Sequence, residues 1–172
     1  MNELFKIFKV DSEEATKISA SPDEPHQHDF EELIIGIDGE LEHFIDFKTT
    51  ILDAPLVSFV TKGKVHRVIP KLKKGKCQMW AIRFKSEFIP EITFQLYSNY
   101  HNHAMLKLPK DNCFSRLTTI CEIINGEMKQ ENPDLSVVRH LLSALFIIIE
   151  SERNKITPSD TGLSTTQNTT LQ

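Results

Sequence analysis

Residues 26–39, HQHDFEELIIGIDG, place two histidines around one residue, a glutamate four positions on and a glycine seven further. In extended chain alternate side chains share a face, so His26, His28, Phe30, Glu32 and Ile34 point one way. Asp29, Glu31, Leu33 and Ile35 point the other. Two imidazoles and a carboxylate on the inner face of a sheet are costly unless they find partners. His66, in a later strand beyond Gly63, is a candidate fourth member. Three histidines and one glutamate make a set suited to Fe, Mn, Ni or Zn. Straight strand separates His28 from Glu32 by ~13 Å, so a shared ion requires the strand to curl or bulge between them. Three readings of His26, His28, Glu32 and His66 therefore stand side by side: metal ligands, the wall of a small-molecule pocket, or hydrogen-bonded packing residues.

The sequence around this stretch is a series of short alternating runs up to about residue 88, the pattern of an antiparallel sandwich or barrel. Asp38-Gly39 predicts a hairpin from which ELEHFIDF returns, and Asp53-Ala54-Pro55 a second turn. Pro70 ends the strand KVHRVIP, having no N–H for a ladder. KLKKGK reads as a loop with Gly75 near its tip, and CQMWAIRF as the last strand. Trp80 shares parity with Ile82 and Phe84 and faces inward, as core or as an aromatic platform in a ligand pocket; Arg83 has the opposite parity and points outward. His43 faces solvent or a neighbouring strand. The segment 61–76 carries many basic side chains and no acid. It lacks interleaved aromatics and reads as a solvated loop rather than a nucleic-acid surface.

After residue 88 the period changes. Phe114, Leu117, Cys121, Ile124 and Met128 recur at helical spacing, with Asn125-Gly126 a candidate end or fraying point. A second helix follows, with Asn132 as N-cap, Pro133 in first position and Asp134 at the positive end of the dipole. Its face of Val138, Leu141 or Leu142, Leu145, and Ile148 or Ile149 would pack on the core, and Val137, Phe146 and Ile147 extend the apolar surface past that single stripe. A helix apolar on more than one side must be buried on more than one side, so the excess width of 137–149 predicts a homodimer seam, with Val138, Leu141, Leu145 and Ile148 as its expected interface residues. Residues 154–172, rich in Ser, Thr, Asn and Gln, read as a flexible linker. The organisation expected is an arm over 1–19, a β-barrel over 20–88, a helical dimerisation region over 89–153 and the linker.

Composition narrows function. A net charge of −4 gives no reason to expect nucleic-acid binding by this chain as a whole. The longest apolar run, Ala144–Ile149, is too short to span a bilayer, and no signal peptide is visible at the N-terminus. Cys77, Cys113 and Cys121 are odd in number and form no metal-type pair, which fits reduced thiols in the cytoplasm.

HQHDFEELIIGIDG resembles the first cupin motif, and TKGKVHRVIP the second, with Gly63 and His66 in place but Thr61 where proline is usual and Pro70 where asparagine is usual. The order of barrel motifs, AIRFKSEFIP, two helices and a polar tail resembles the N-terminal domain of bacterial AraC-type transcription regulators. That resemblance implies an α+β fold, a cupin-like double-stranded β-barrel (jelly roll) followed by two or more C-terminal α-helices. It implies an effector-binding and dimerisation domain with no catalytic residues and no obligatory cofactor, meeting DNA only through a domain absent from this chain. The effector site would comprise His26, His28, Glu32, His66 and Trp80. The alternative is a metal-dependent cupin enzyme, an oxygenase or isomerase, holding a divalent ion on His26, His28, Glu32 and His66.

Overall fold

A computed structural model describes the backbone of residues 3–89 and 105–165, and side chains within these as far as residue 155. The elements run β1 (Phe5–Val10), α1 (Ser12–Ala20), β2 (Glu31–Asp38), β3 (Glu40–Ile45), β4 (Lys48–Asp53), β5 (Leu56–Val60), β6 (His66–Lys71), β7 (Gln78–Phe84), β8 (Met105–Lys107), α2 (Asn112–Met128) and α3 (Leu135–Thr165). The strands form two antiparallel sheets, β1-β7-β2-β5-β8 and β4-β3-β6. The fold is α+β, as expected, with the two sheets remaining separate rather than closing on each other.

The larger sheet is covered on both sides. One face sends Leu33, Ile35, Val57, Phe59, Trp80, Ile82 and Phe84 into a core shared with Leu117, Cys121 and Ile124 of α2 and Val138, Leu142, Leu145 and Ile149 of α3. Full burial of such side chains is worth about 1.5–3 kcal/mol each, so this layer carries most of the folding free energy. The other face meets the smaller sheet through a second cluster containing Val10, Ala15, Ile34, Leu41, Leu56 and Met79.

Several local readings change. Residues 5–10 of the expected arm are the edge strand β1, paired with β7 from Phe5↔Phe84 to Val10↔Met79. Helix α1 follows, capped by Asp11, whose side chain accepts from the Glu14 N–H at 2.8 Å. The turn at Asp38-Gly39 exists, but it carries the chain from one sheet to the other instead of joining a hairpin: β2 pairs with β5 and β7, β3 with β4 and β6. Glycine is required there, since φ is +102° and an added Cβ would lie 2.6 Å from the Lys71 carbonyl oxygen. The β3–β4 hairpin turns instead at Asp46-Phe47, both at positive φ, inside what reads as one strand. Pro70 does not end β6; it sits in an edge strand, where a missing N–H costs no ladder bond. Around 61–76, Lys64, Lys71 and Lys73 pair with Asp46, Glu42 and Asp53, as a solvated loop would.

In the helical zone, β8 precedes α2 and adds a fifth strand to the larger sheet. α2 continues through Asn125-Gly126 to Met128. α3 begins at Leu135 with Asp134 Oδ1 accepting from the Ser136 N–H at 3.0 Å, two residues beyond the expected Asn132 cap. Its backbone runs on through 154–165, where a linker was expected. The dimer seam needs the largest correction. Val138 and Leu145 are 0% exposed within the single chain, and Leu141 and Ile148 pack against the same core, so the stripe faces the chain's own sheet. Apolar side chains that do face outward on the helices are Ile123, Val137 and Ile147. Residues 90–104 and 166–172, including the rest of the expected linker, lie outside the described residues.

Candidate functional site

The segment 26–28 is not a straight continuation of β2. The His26 N–H donates to the His66 carbonyl at 2.9 Å, the His66 N–H to the His26 carbonyl at 2.8 Å, and the Gly63 N–H to the His28 carbonyl at 3.0 Å. These bonds tie residues 26–28 to β6 of the smaller sheet, while β2 begins at Glu31 in the larger one. The chain therefore bends between His28 and Glu31, which supplies the curl that the strand rise demands. His28 Nε2 lies 3.8 Å and His66 Nε2 3.6 Å from Glu32 Oε1.

Each histidine is oriented by a carbonyl. Nδ1 of His26, His28 and His66 lies 2.9, 2.9 and 3.0 Å from the carbonyl oxygens of Glu24, Phe30 and Lys64. A carbonyl only accepts, so each Nδ1 carries a proton and each ring turns its Nε2 edge away from that carbonyl. The three rings converge: one ligand nitrogen from each lies within 4.8 Å of the others. Between His28 and His66 the Nε2···Nε2 distance is 3.1 Å. Two Nε2 lone pairs at that range repel unless a proton or a metal ion sits between them.

Glu32 supplies the counter-charge. Its burial works against ionisation, but the His28 and His66 rings and the Arg83 guanidinium, whose Nε–H donates to Oε2 at 2.8 Å, outweigh it. The carboxyl is held well below the usual carboxylate range. Behind the site His43 is fully buried, with Nδ1 3.0 Å from Ser58 Oγ and its ring 6.4 Å from that of His66. Burial, reinforced by His66, pushes its imidazole down to about 4, so it stands neutral.

These groups form the polar end of a cavity of about 400 Å³ between the sheets, whose apolar wall includes Phe8, Val10, Ile18, Ile34, Leu41, Val68 and Met79. Ile18 comes from α1, so the helix in the expected arm forms part of the wall. His26, His28, Glu32 and His66 are thus brought together, and Trp80 is not among them. Trp80 lies on the opposite face of β7, buried against the helices with Lys9 over its ring. Arg83, expected to point outward, lines the cavity with Met79 and Ala81. Strand parity sorts these residues into two sets correctly, but in a sheet buried on both faces it does not tell which set meets the cavity. The buried position of His43 had a signal in its shared parity with Leu41.

No protein-family model matches the chain, and no curated protein sequence matches it. Solved structures do. ToxT K231A from Vibrio cholerae superposes with a TM-score of 0.55 at 12% identity, over 89% of this chain and 58% of that one. The shared property is the fold, and the chain spans less than two thirds of ToxT's length. The AraC-like transcriptional activator CuxR gives a TM-score of 0.48 at 14% identity, over 86% of this chain and 48% of that one. The Fe(II) form of HppE gives 0.36 at 20% identity, over 47% of this chain and 43% of that one. The last two are too distant in geometry to bear on function. Among the described residues no helix is long and apolar enough to cross a membrane.

Proposed function

We propose that the chain is the effector-binding and regulatory part of a cytoplasmic AraC-type transcription regulator, without catalysis of its own. The observation that carries this reading is the cavity between the sheets, apolar along its wall and polar at one end. Such a cavity suits a small amphipathic molecule. Support comes also from the order of two-sheet body and helix pair that prompted the family resemblance, and from a fold shared with ToxT across most of the chain. A ligand contacting α1 and both sheets would favour one arrangement of them over another, and its differential affinity sets how far that equilibrium moves. DNA contact would belong to a domain outside these residues. Homodimerisation, if this reading holds, uses the outward side chains Ile123, Val137 and Ile147. The test is a thermal-shift screen of small amphipathic molecules against the unaltered chain and against Ala81→Phe, which fills the cavity. Compounds that raise Tm only in the unaltered chain support the reading; a screen in which no compound distinguishes the two proteins overturns it.

A second reading is favoured by the converging ring nitrogens: the three histidines hold a divalent transition metal. Ligand atoms around such an ion stand ~3.0–3.5 Å apart, and the 3.1, 3.6 and 3.8 Å separations here are close to that. The residues fit the ion: His26, His28 and His66 would ligate through Nε2, with Glu32 Oε1 beside two of them and held by Arg83. When bound, the metal would supply Lewis acidity or an anchor for a ligand oxygen. Elemental analysis of protein purified without chelator, alongside His66→Ala, checks this: stoichiometric metal lost in the variant supports the site.

A further inference from the structure

We infer that the molecule this cavity accepts is a carboxylate on an apolar body, and that Arg83 receives the carboxylate. The inference rests on reading the cavity as a small-molecule site. Arg83 projects from β7 beside Ala81 and Met79 and lines the cavity. Its guanidinium has five N–H donors. One, on Nε, is given to Glu32 Oε2 at 2.8 Å; neither Nη makes a hydrogen bond with any described residue.

The unused edge is also held in place. The guanidinium lies 5.1 Å from the ring centre of Phe8 and 5.3 Å from that of Phe30, so two aromatic rings and one carboxylate restrain it. At 36% side-chain exposure it can still be reached from the cavity. A guanidinium fixed along one edge, with neither Nη partnered among the described residues, presents the fork that matches a carboxylate bidentately. Because its orientation is set beforehand, little freedom is lost when a ligand arrives.

The surrounding charges select the class. Glu32 faces Arg83 with one oxygen and the His28 and His66 rings with the other, so its charge is already directed at protein groups rather than at a ligand. Its nearness also disfavours a dianion such as a phosphate monoester, while the free guanidinium edge offers a monoanion two parallel N–H donors. Arg67 also borders the cavity, but its guanidinium is turned toward the Phe44 ring, 6.0 Å away. Asp23 stands on the exposed segment beyond α1. The remaining wall near the fork is aliphatic, through Ile34, Leu41 and Met79, which accounts for the apolar body.

The test uses three probes with one apolar body: 4-phenylbutanoate, 4-phenylbutanamide and 4-phenylbutan-1-ol. Each is titrated calorimetrically into the full chain, stripped of metal by chelator so that no ion at the histidines contributes. The acid is expected to bind at least ~10-fold more tightly than the amide. In Arg83→Gln that preference falls to within ~3-fold, while amide affinity stays where it was. Arg83→Lys keeps a cation against Glu32 and guards against simple misfolding; with its point charge in place of the fork, it retains only part of the preference. Equal binding of acid and amide to the unaltered chain, or a preference that survives Arg83→Gln, overturns the role of Arg83 and leaves the cavity a ligand site. Failure of all three probes to bind removes the reading of the cavity as well as the inference built on it.

Discussion

The two faces of the larger sheet are built for different purposes. Along β7, Trp80, Ile82 and Phe84 enter an apolar layer beneath α2 and α3, while Met79, Ala81 and Arg83 look into the cavity. On β2, Leu33 and Ile35 oppose Glu32 and Ile34 in the same way. One face is filled with large apolar groups; the other leaves room and keeps its charges paired. Stability and chemistry are thereby placed on alternate residues of the same strands, where substitution can separate them.

The contrast breaks most completely at Leu145→Asp. A carboxylate placed in the helix-facing core has no partner, at a cost comparable to the whole stability of a domain, on the order of 5–15 kcal/mol. Far-UV circular dichroism is expected to show no cooperative unfolding transition. Next in size is Trp80→Ala, expected to lower stability by about 3–5 kcal/mol in denaturant titration. Because Trp80 lies on the far face from the cavity, ligand binding by the folded fraction should be unchanged.

The cavity face is sharpened by pH. Glu32 has a depressed folded pKa, so its stabilising contribution is present above the ordinary carboxylate value of 4.5 and is lost as pH falls toward its folded value. Glu32→Gln should be less stable at neutral pH by roughly 3 kcal/mol, with a flatter acid limb in urea midpoints taken against pH. His43 adds a smaller slope. Its folded value of about 4 lies below the ordinary 6.5, so the unfolded chain takes up the proton first and stability declines as pH drops between those values. His43→Gln should remove roughly 2 kcal/mol of that decline, read in the same titrations. The smallest effect on stability belongs to Ile147→Asp on the outer side of α3, expected within ~0.5 kcal/mol. If the proposed dimer uses this surface, sedimentation velocity should show the mass halved, and an unchanged mass would reject that surface.

Much of this contrast was legible in the sequence, and what was missed has a common cause. The alternation of 26–34 sorted His26, His28, Glu32 and Ile34 onto one face, and the helical spacing placed Leu117, Cys121 and Ile124 in the core. Those are local periodicities. The roles of Trp80 and Arg83 were exchanged because a sheet covered on both sides has two interiors, and parity distinguishes sets without naming their surroundings. β1 read as an arm because its partner β7 lies some seventy residues away in sequence. Asp38-Gly39 announced positive φ correctly, but whether the next strand pairs with its predecessor or crosses to another sheet is decided by contacts far from the turn. Asp46-Phe47 had no glycine or asparagine to mark it. The width of the α3 apolar surface suggested a second subunit, when the sheet beneath and α2 beside it cover most of it.

The reciprocal backbone bonds between His26 and His66 have a mechanical consequence. His66 belongs to the smaller sheet, Glu32 and Arg83 to the larger, and the rings of His28 and His66 are clasped to the same strand. Sliding one sheet over the other by a fraction of an ångström leaves the His28–His66 pair intact but changes its distance to Glu32 directly. The cluster therefore spans the two sheets, and their relative position sets how far the paired rings stand from the Glu32 carboxylate.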